Sequence, residues 1–317
     1  MKIRNEYLIL GVIIAALAVY LYQRSSDRAL YTLPKLPALA ASDITRIQVT
    51  RPGETVVLVR QDGRWVIDSR GWPVDPKTAQ EMLDALTGLT LTALVAESKN
   101  YSLYELDGEH RVNVKAWQGD QLRRDIDIGK AAPSFRHTFV RIAGDDRVFH
   151  AQDNISFRFR AALDDLRDKT VLAFNREDIQ EIQIAQGQAT AALTRTPTKA
   201  EPSPAGQPAP VAWQGANGQT ASSAAVQALL AELSSLRCDQ FIDDRDKAGL
   251  GAPIYSIVLK GPKEYTLTLF APGEKDAPRH PAVSSGSDSP FLLSEDQTKR
   301  IMKNPEDYFK GEEKKEG

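Results

Sequence analysis

The chain has 317 residues, 42% hydrophobic and 26% charged, the composition of a folded protein long enough for about two domains. A formal net charge of −2 and a pI near 6.2 leave no basic footprint of a nucleic-acid binder. A single cysteine, Cys238, excludes an intrachain disulfide and any zinc site built on several thiolates.

The amino end opens on an uncharged run, Tyr7 to Tyr22. As a helix it rises about 1.5 Å per residue and covers roughly 24 Å of a hydrocarbon core near 30 Å. Tyr7, Tyr20 and Tyr22 sit at its ends like interface anchors, and Lys2, Arg4 and Arg24 flank it. Residues 1–24 are therefore expected to form a single-pass membrane anchor. A signal peptide cleaved after Ala16-Leu17-Ala18 and a buried core helix are the competing readings. The positive charges on the two sides are nearly even and lean towards a cytoplasmic amino end, which puts the body in the periplasm and the protein in the inner membrane. Residues 25–41, with Pro34 and Pro37, read as a spacer.

The first unit spans residues 42–172. Ile44, Ile47 and Val49 open a strand, and Asp62-Gly63 between two β-rich runs marks a tight hairpin, because both turn positions favour positive φ. Asp75 caps a helix that begins on Pro76, with Ala79, Met82, Leu83, Leu86 and Leu89 as its buried stripe. Val112, Val114 and Ala116 alternate towards a turn at Gly119, and Leu122, Arg124, Ile126 and Ile128 return. Phe139–Ile142 and 147–150 form the next pair. Asp153 or Asn154 then caps an expected helix carrying Ile155, Phe159, Leu163 and Leu166.

The second unit spans residues 175–309 and repeats the plan. Asp178-Ile179 with Ile182 and Ile184 echoes Asp43-Ile44 with Ile47 and Val49, 135 positions earlier, and a fixed internal offset is the signature of a repeat. Trp213 stands in the place of Trp65. Ser222 caps a helix whose stripe, Val226, Leu229, Leu230, Leu233 and Leu236, lies 147 positions after that of the first unit. The extra length falls mostly in residues 196–211, a Pro- and Ala-rich stretch whose composition reads as a mobile loop. Ser294 to Gln297 spells a capping box for a last helix before Pro305, and residues 310–317 form a charged tail. The fold class expected is α+β: two related units of antiparallel β-hairpins, each covered by helices, behind an N-terminal transmembrane helix.

No catalytic, cofactor-binding or metal-ligating residue is singled out. Asp145-Asp146, Asp164-Asp165 and Asp243-Asp244 are adjacent carboxylates, which point apart on a helix and read as solvated or capping groups. Asp125 and Asp127 share one face of a strand, but without the further oxygen ligands and glycine of a calcium loop. His110, His137, His150 and His280 fit no metal spacing, Cys238 reads as a small buried apolar group, and Trp65 and Trp213 read as duplicated core.

The Asp-Ile-x-x-Ile openings, Gly63-Arg64-Trp65, Ile128-Gly129, Phe139-Val140-Arg141 and Leu166-Arg167-Asp168-Lys169, in that order, resemble the bacterial domain of unknown function 4340 family. The resemblance implies an extracytoplasmic α+β protein behind a single anchor, in some relatives beside ABC-type transport systems named for gliding motility, and carries no catalytic residues or cofactor. The expected function is a membrane-tethered interaction or accessory module of an envelope ABC-type transport or surface-assembly system, with no nucleic-acid partner. The alternative is an envelope hydrolase using Asp and Glu carboxylates brought together by the fold.

Overall fold

The structure is a computed structural model that describes residues 5–24, 31–197, 211–273 and 278–309. The chain forms two compact units, Met1–Ala161 and Ala162–Gly317. The strands of the first are β1 (Arg46–Arg51), β2 (Glu54–Gln61), β3 (Arg64–Ile67), β4 (Trp72–Pro73), β5 (Leu91–Ala96), β6 (Val112–Gln118), β7 (Gln121–Ala131), β8 (His137–Ile142) and β9 (Val148–Gln152). They make one antiparallel sheet in the order β4-β3-β2-β1-β6-β7-β8-β9-β5. The second unit holds β10 (Thr170–Ala173), β11 (Glu181–Gln186), β12 (Ala189–Pro197), β13 (Val211–Gly215), β14 (Ser235–Arg237), β15 (Gln240–Phe241), β16 (Pro253–Lys260), β17 (Glu264–Phe270), β18 (His280–Ser284) and β19 (Phe291–Leu293). Its large sheet runs β13-β12-β11-β16-β17-β18-β19-β15, and β10 pairs with β14 separately.

Apart from β4, the two large sheets have the same strand order. Their hydrogen bonds repeat as well. The Arg60 N–H donates to the Thr45 carbonyl as Arg195 does to Gln180, and Val74 donates to Trp65 as Ala221 does to Trp213. Each sheet buries alternate residues. Ile47, Val49, Val114, Ala116, Ile126 and Ile128 are buried in the first, and Ile182, Ile184, Ile257, Leu259, Leu267 and Leu269 in the second. Period-two burial is what an antiparallel sheet with one covered face requires.

Local signals in the chain produce local structure. Asp62 and Gly63 take φ of 49° and 79°, closing the β2–β3 hairpin in the left-handed region. Asp75 caps α2 (Pro76–Thr87) by accepting from the Lys77 and Thr78 N–H groups, and Ser222 caps α4 (Ser223–Leu233) by accepting from Ala225. Ser294 and Gln297 form the reciprocal capping box of α5 (Glu295–Ile301).

The fold class differs from the sequence expectation. The protein is β-rich, with large antiparallel sheets and few helices, rather than hairpins covered by helices. The helix expected over Ile155 to Leu166 is a 3-10 turn, Ser156–Phe159, followed by α3 (Leu163–Leu166). Ile155, Phe159 and Leu166 are buried all the same. Their spacing satisfies a core without a continuous helix, and Phe157 and Phe159 are weak helix formers. The Leu166 to Lys169 segment leads into β10, whose partner is β14, so it belongs to the second unit.

The transmembrane helix is also corrected. Residues Asn5–Arg24 form α1, but no helix among the described residues is long and apolar enough to cross a membrane. The uncharged run is short for a span, about 24 Å against about 30 Å. In α1, Leu10, Val12, Ile13, Ile14, Leu17, Val19 and Tyr20 are all exposed. The ladder between β12 and β13 reaches Pro197 and Val211, so the ends of the Pro-rich stretch are strand. Its interior, residues 198–210, lies outside the described residues, as do part of the spacer, 25–30, and the tail, 310–317.

Two half-buried histidines give the fold a pH dependence. Burial lowers the pKa of His150, helped by neighbouring His137, and burial lowers that of His280 against Glu295. A base with a depressed folded pKa contributes stability that is present above its unfolded value, about 6.5, and lost as pH falls through the folded value. His110, raised by its hydrogen bond to Asp107, has the opposite sign, but its side chain is 54% exposed and its pair is screened. Acidification from pH 7.5 to 5.5 should therefore lower Tm. The double variant His150→Gln/His280→Gln should lose less over the same interval, and an identical slope in both proteins would refute the assignment.

Candidate functional site

The uncovered face of the first sheet carries a charged trough. Because side chains alternate along a strand, the residues between the apolar positions of β6 and β7 all project to this face: Asn113 and Lys115 from β6, Asp125 and the buried Asp127 from β7. Antiparallel register sets them in rows across the strands. Thr50 lies opposite Asn113, Asn113 opposite Asp127, and Asp127 opposite Arg141 of β8. Beside that row, Gln48 lies opposite Lys115, and Lys115 opposite Asp125. Directly opposed side chains are the interacting unit of a sheet, so opposite charges here are placed to pair.

They do pair. The Arg141 guanidinium donates to Asp127 Oδ2 from Nε at 3.0 Å and from an Nη at 2.5 Å. Arg111, just before β6, reaches the same oxygen at 3.3 Å. The Asn113 amide donates to Asp125 at 2.9 Å and to Asp127 at 3.0 Å, bridging the two carboxylates. Lys115 stands 3.6 Å from Asp125. Burial opposes the Arg141 charge, but hydrogen bonds to Asp127 and Tyr101 prevail and hold its pKa above the ordinary value. On the rim, the hydrogen bond from Arg147 lowers the pKa of Asp145, and that from Lys99 lowers the pKa of Asp146.

Two adjoining concavities make up the trough. One, of about 380 Å³, is lined by Asp125, Asp127, Arg141 and the 143–146 turn. The other, of about 340 Å³, is lined by Gln48, Thr50 and Arg51. Arg111, Asn113 and Lys115 line both. These volumes fall at the small end of ligand sites, about 300–1,000 Å³.

The second unit is an internal control. The register that places Ile47 opposite Ala116 places Ile182 opposite Leu259, and so on across the sheet. The first unit's row Thr50, Asn113, Asp127, Arg141 corresponds to Ala185, Ser256, Thr268, Val283. The row Gln48, Lys115, Asp125 corresponds to Gln183, Val258, Thr266. Arg111, two residues before Asn113, corresponds to Ile254, two before Ser256. One sheet architecture thus stands with the charges and without them.

The other residues considered from sequence fall elsewhere. Asp164 and Asp243 meet at the buried Arg167, at 3.7 and 3.0 Å, where its guanidinium stacks 3.7 Å over Phe241. Cys238 is buried, and burial pushes its thiol up to about 12. His137 stacks on His150. Among the described residues no three His, Cys, Asp or Glu side chains gather as metal ligands. Trp213 is buried beside a concavity of about 270 Å³ with Arg195 and Leu230, while Trp65, at the same register place, is half-buried. The sequence sets Asp125 and Asp127 on one strand face without a role, and does not connect Arg111, Asn113, Lys115 or Arg141 with them. The available signal was the polar set Arg111-x-Asn113-x-Lys115 alternating with the apolar residues of β6.

A family model described as Domain of unknown function (DUF4340) matches residues 65–253, a segment that contains β6, β7 and β8 and hence the charged core of the trough. No curated protein and no solved structure matches the chain.

Proposed function

The chain belongs to the domain of unknown function 4340 family, and from that premise we propose that it is a binding module of the cell envelope: tethered to a membrane at its amino end, its body outside the cytoplasm, and accessory to an ABC-type transport or surface-assembly system. The observation that carries this reading is the charged trough, present on one of two matching sheets and replaced by neutral residues on the other. A feature that one of two matching sheets lacks is available for recognition. The exposed apolar side chains of α1 support attachment to a lipid surface.

The hydrolase alternative is less well supported. Acid–base work needs carboxylates free to exchange protons with a substrate. Asp127 is held by Arg141, Arg111 and Asn113, and Asp125 by Asn113 and Lys115. Ligation of this kind suits a fixed recognition surface.

Crosslinking the intact chain in native membranes, followed by pull-down, should capture an ABC-type membrane complex, and low-salt fractionation should leave the protein in the membrane pellet. A reporter active only outside the cytoplasm should work when fused after Phe309. Recovery in the soluble fraction would refute the tether, an inactive reporter the placement, and failure to capture any transport component the accessory role.

A further inference from the structure

We propose that the trough binds an acidic saccharide, one or two sugar units bearing a carboxylate. This rests on the reading of the trough as a recognition surface and adds the chemistry of what it holds.

The two concavities differ in character. The one beside β1 presents Arg51, Arg111 and Lys115 with the neutral hydrogen-bonding groups of Gln48, Thr50 and Asn113, and no carboxylate lines it among the described residues. Its cations are fixed from behind. Arg51 donates to Glu54 at 2.8 Å and to the Ala161 carbonyl at 2.5 Å. Its buried Nε has no acceptor among the described residues. Arg111 and Lys115 keep only long contacts to carboxylates, 3.3 and 3.6 Å. Both remain partly exposed, 40% and 34%. Held guanidinium and ammonium groups with donors to spare suit a carboxylate.

The other concavity is lined by Asp125, Asp127, Asp145 and Asp146 around Arg141. Carboxylates accept and do not donate, so this half calls for ligand donors such as hydroxyl groups. A bare inorganic anion would satisfy the first half and leave the acceptors of the second unused. A neutral sugar would satisfy the second and leave the spare donors of the first without a charged acceptor. A ligand with a carboxylate at one end and hydroxyls along its length satisfies both. Arg111, Asn113 and Lys115 line both halves, so one molecule can span them. The volumes suit a sugar-sized ligand rather than a protein strand.

Calorimetric titration of the intact chain with digalacturonic acid at low salt tests this, with the neutral galactose disaccharide and inorganic phosphate as comparison probes. Saturable binding of the acidic disaccharide is expected, at least tenfold tighter than either comparison probe. Arg111→Gln and Lys115→Gln, each checked for an unchanged melting profile, should each weaken it about tenfold. Amide shifts in the unmodified protein should move in β1, β6 and β7. No binding of digalacturonate, equal binding of the neutral sugar or of phosphate, or shifts confined to the second unit would each overturn the proposal. Capture of a transport complex without saccharide binding would defeat the ligand class alone, and saccharide binding without capture would defeat only the accessory role.

Discussion

Trp213→Ala should destabilise the protein by about 3–5 kcal/mol, the cost of removing a fully buried indole and leaving a cavity behind. Trp213 is 4% exposed and belongs to the second unit's core together with Leu229, Leu230 and Leu233 of α4. A concavity of about 270 Å³ already adjoins it, so the void would merge with existing space instead of closing. Trp65 occupies the same register place, opposite Arg60 as Trp213 is opposite Arg195, but it is half-buried. Its replacement by Ala should cost about 1–2 kcal/mol, in proportion to the smaller apolar area returned to water. Urea unfolding gives the magnitudes, and hydrogen exchange locates them. Faster exchange in β11 to β13 is expected for Trp213→Ala, and in β2 and β3 for Trp65→Ala. Equal costs for the two would show that burial does not decide them.

Asp127→Ala should cost about 3 kcal/mol. Asp127 is 8% exposed and its chief partner, Arg141, 20% exposed. Removing one member of such a pair leaves the other charge desolvated and unpaired, which typically costs about 3–5 kcal/mol, and the partial exposure of Arg141 puts this case at the low end. Asp127→Asn should be milder, because the amide oxygen can still accept from Asn113. Replacing both partners together, Asp127→Thr with Arg141→Val, should recover most of the loss, since those are the residues the second unit uses at the same places. A double variant as unstable as the sum of the singles would mean that the pair is needed by the fold.

Much of this architecture was legible because its signals are local. Asp62-Gly63 dictates a hairpin by its own backbone preferences, and Asp75, Ser222 and Ser294 cap helices through bonds that span only two or three residues. The opening echo of Asp43-Ile44 and Asp178-Ile179 pointed to units whose sheets share a strand order. The fold class was misjudged where apolar spacing was allowed to stand for helix. The run from Ile155 to Leu166 has helical spacing, but it meets its core through a 3-10 turn and a single helical turn. The uncharged run at the amino end was read as a span although it falls several ångströms short of one. The trough was almost invisible for a different reason. Its members come from β6, β7 and β8, and only antiparallel register brings Asn113, Asp127 and Arg141 into one row. Long-range register is not encoded in any short window of sequence, so the Asp125 and Asp127 pair was read alone, without the cations that neutralise it.

If the charged face serves recognition, the scaffold should fold without it. Grafting the second unit's face onto the first tests this most directly: Arg111→Ile, Asn113→Ser, Lys115→Val, Asp125→Thr, Asp127→Thr and Arg141→Val in one chain, compared with the unmodified protein by thermal unfolding and by digalacturonate titration. Complete replacement of an ion-pair cluster by neutral side chains is often neutral or stabilising. A cooperative unfolding transition at the same or a higher Tm is expected, with saccharide binding abolished. A chain that no longer folds, or one that folds and still binds, would contradict it.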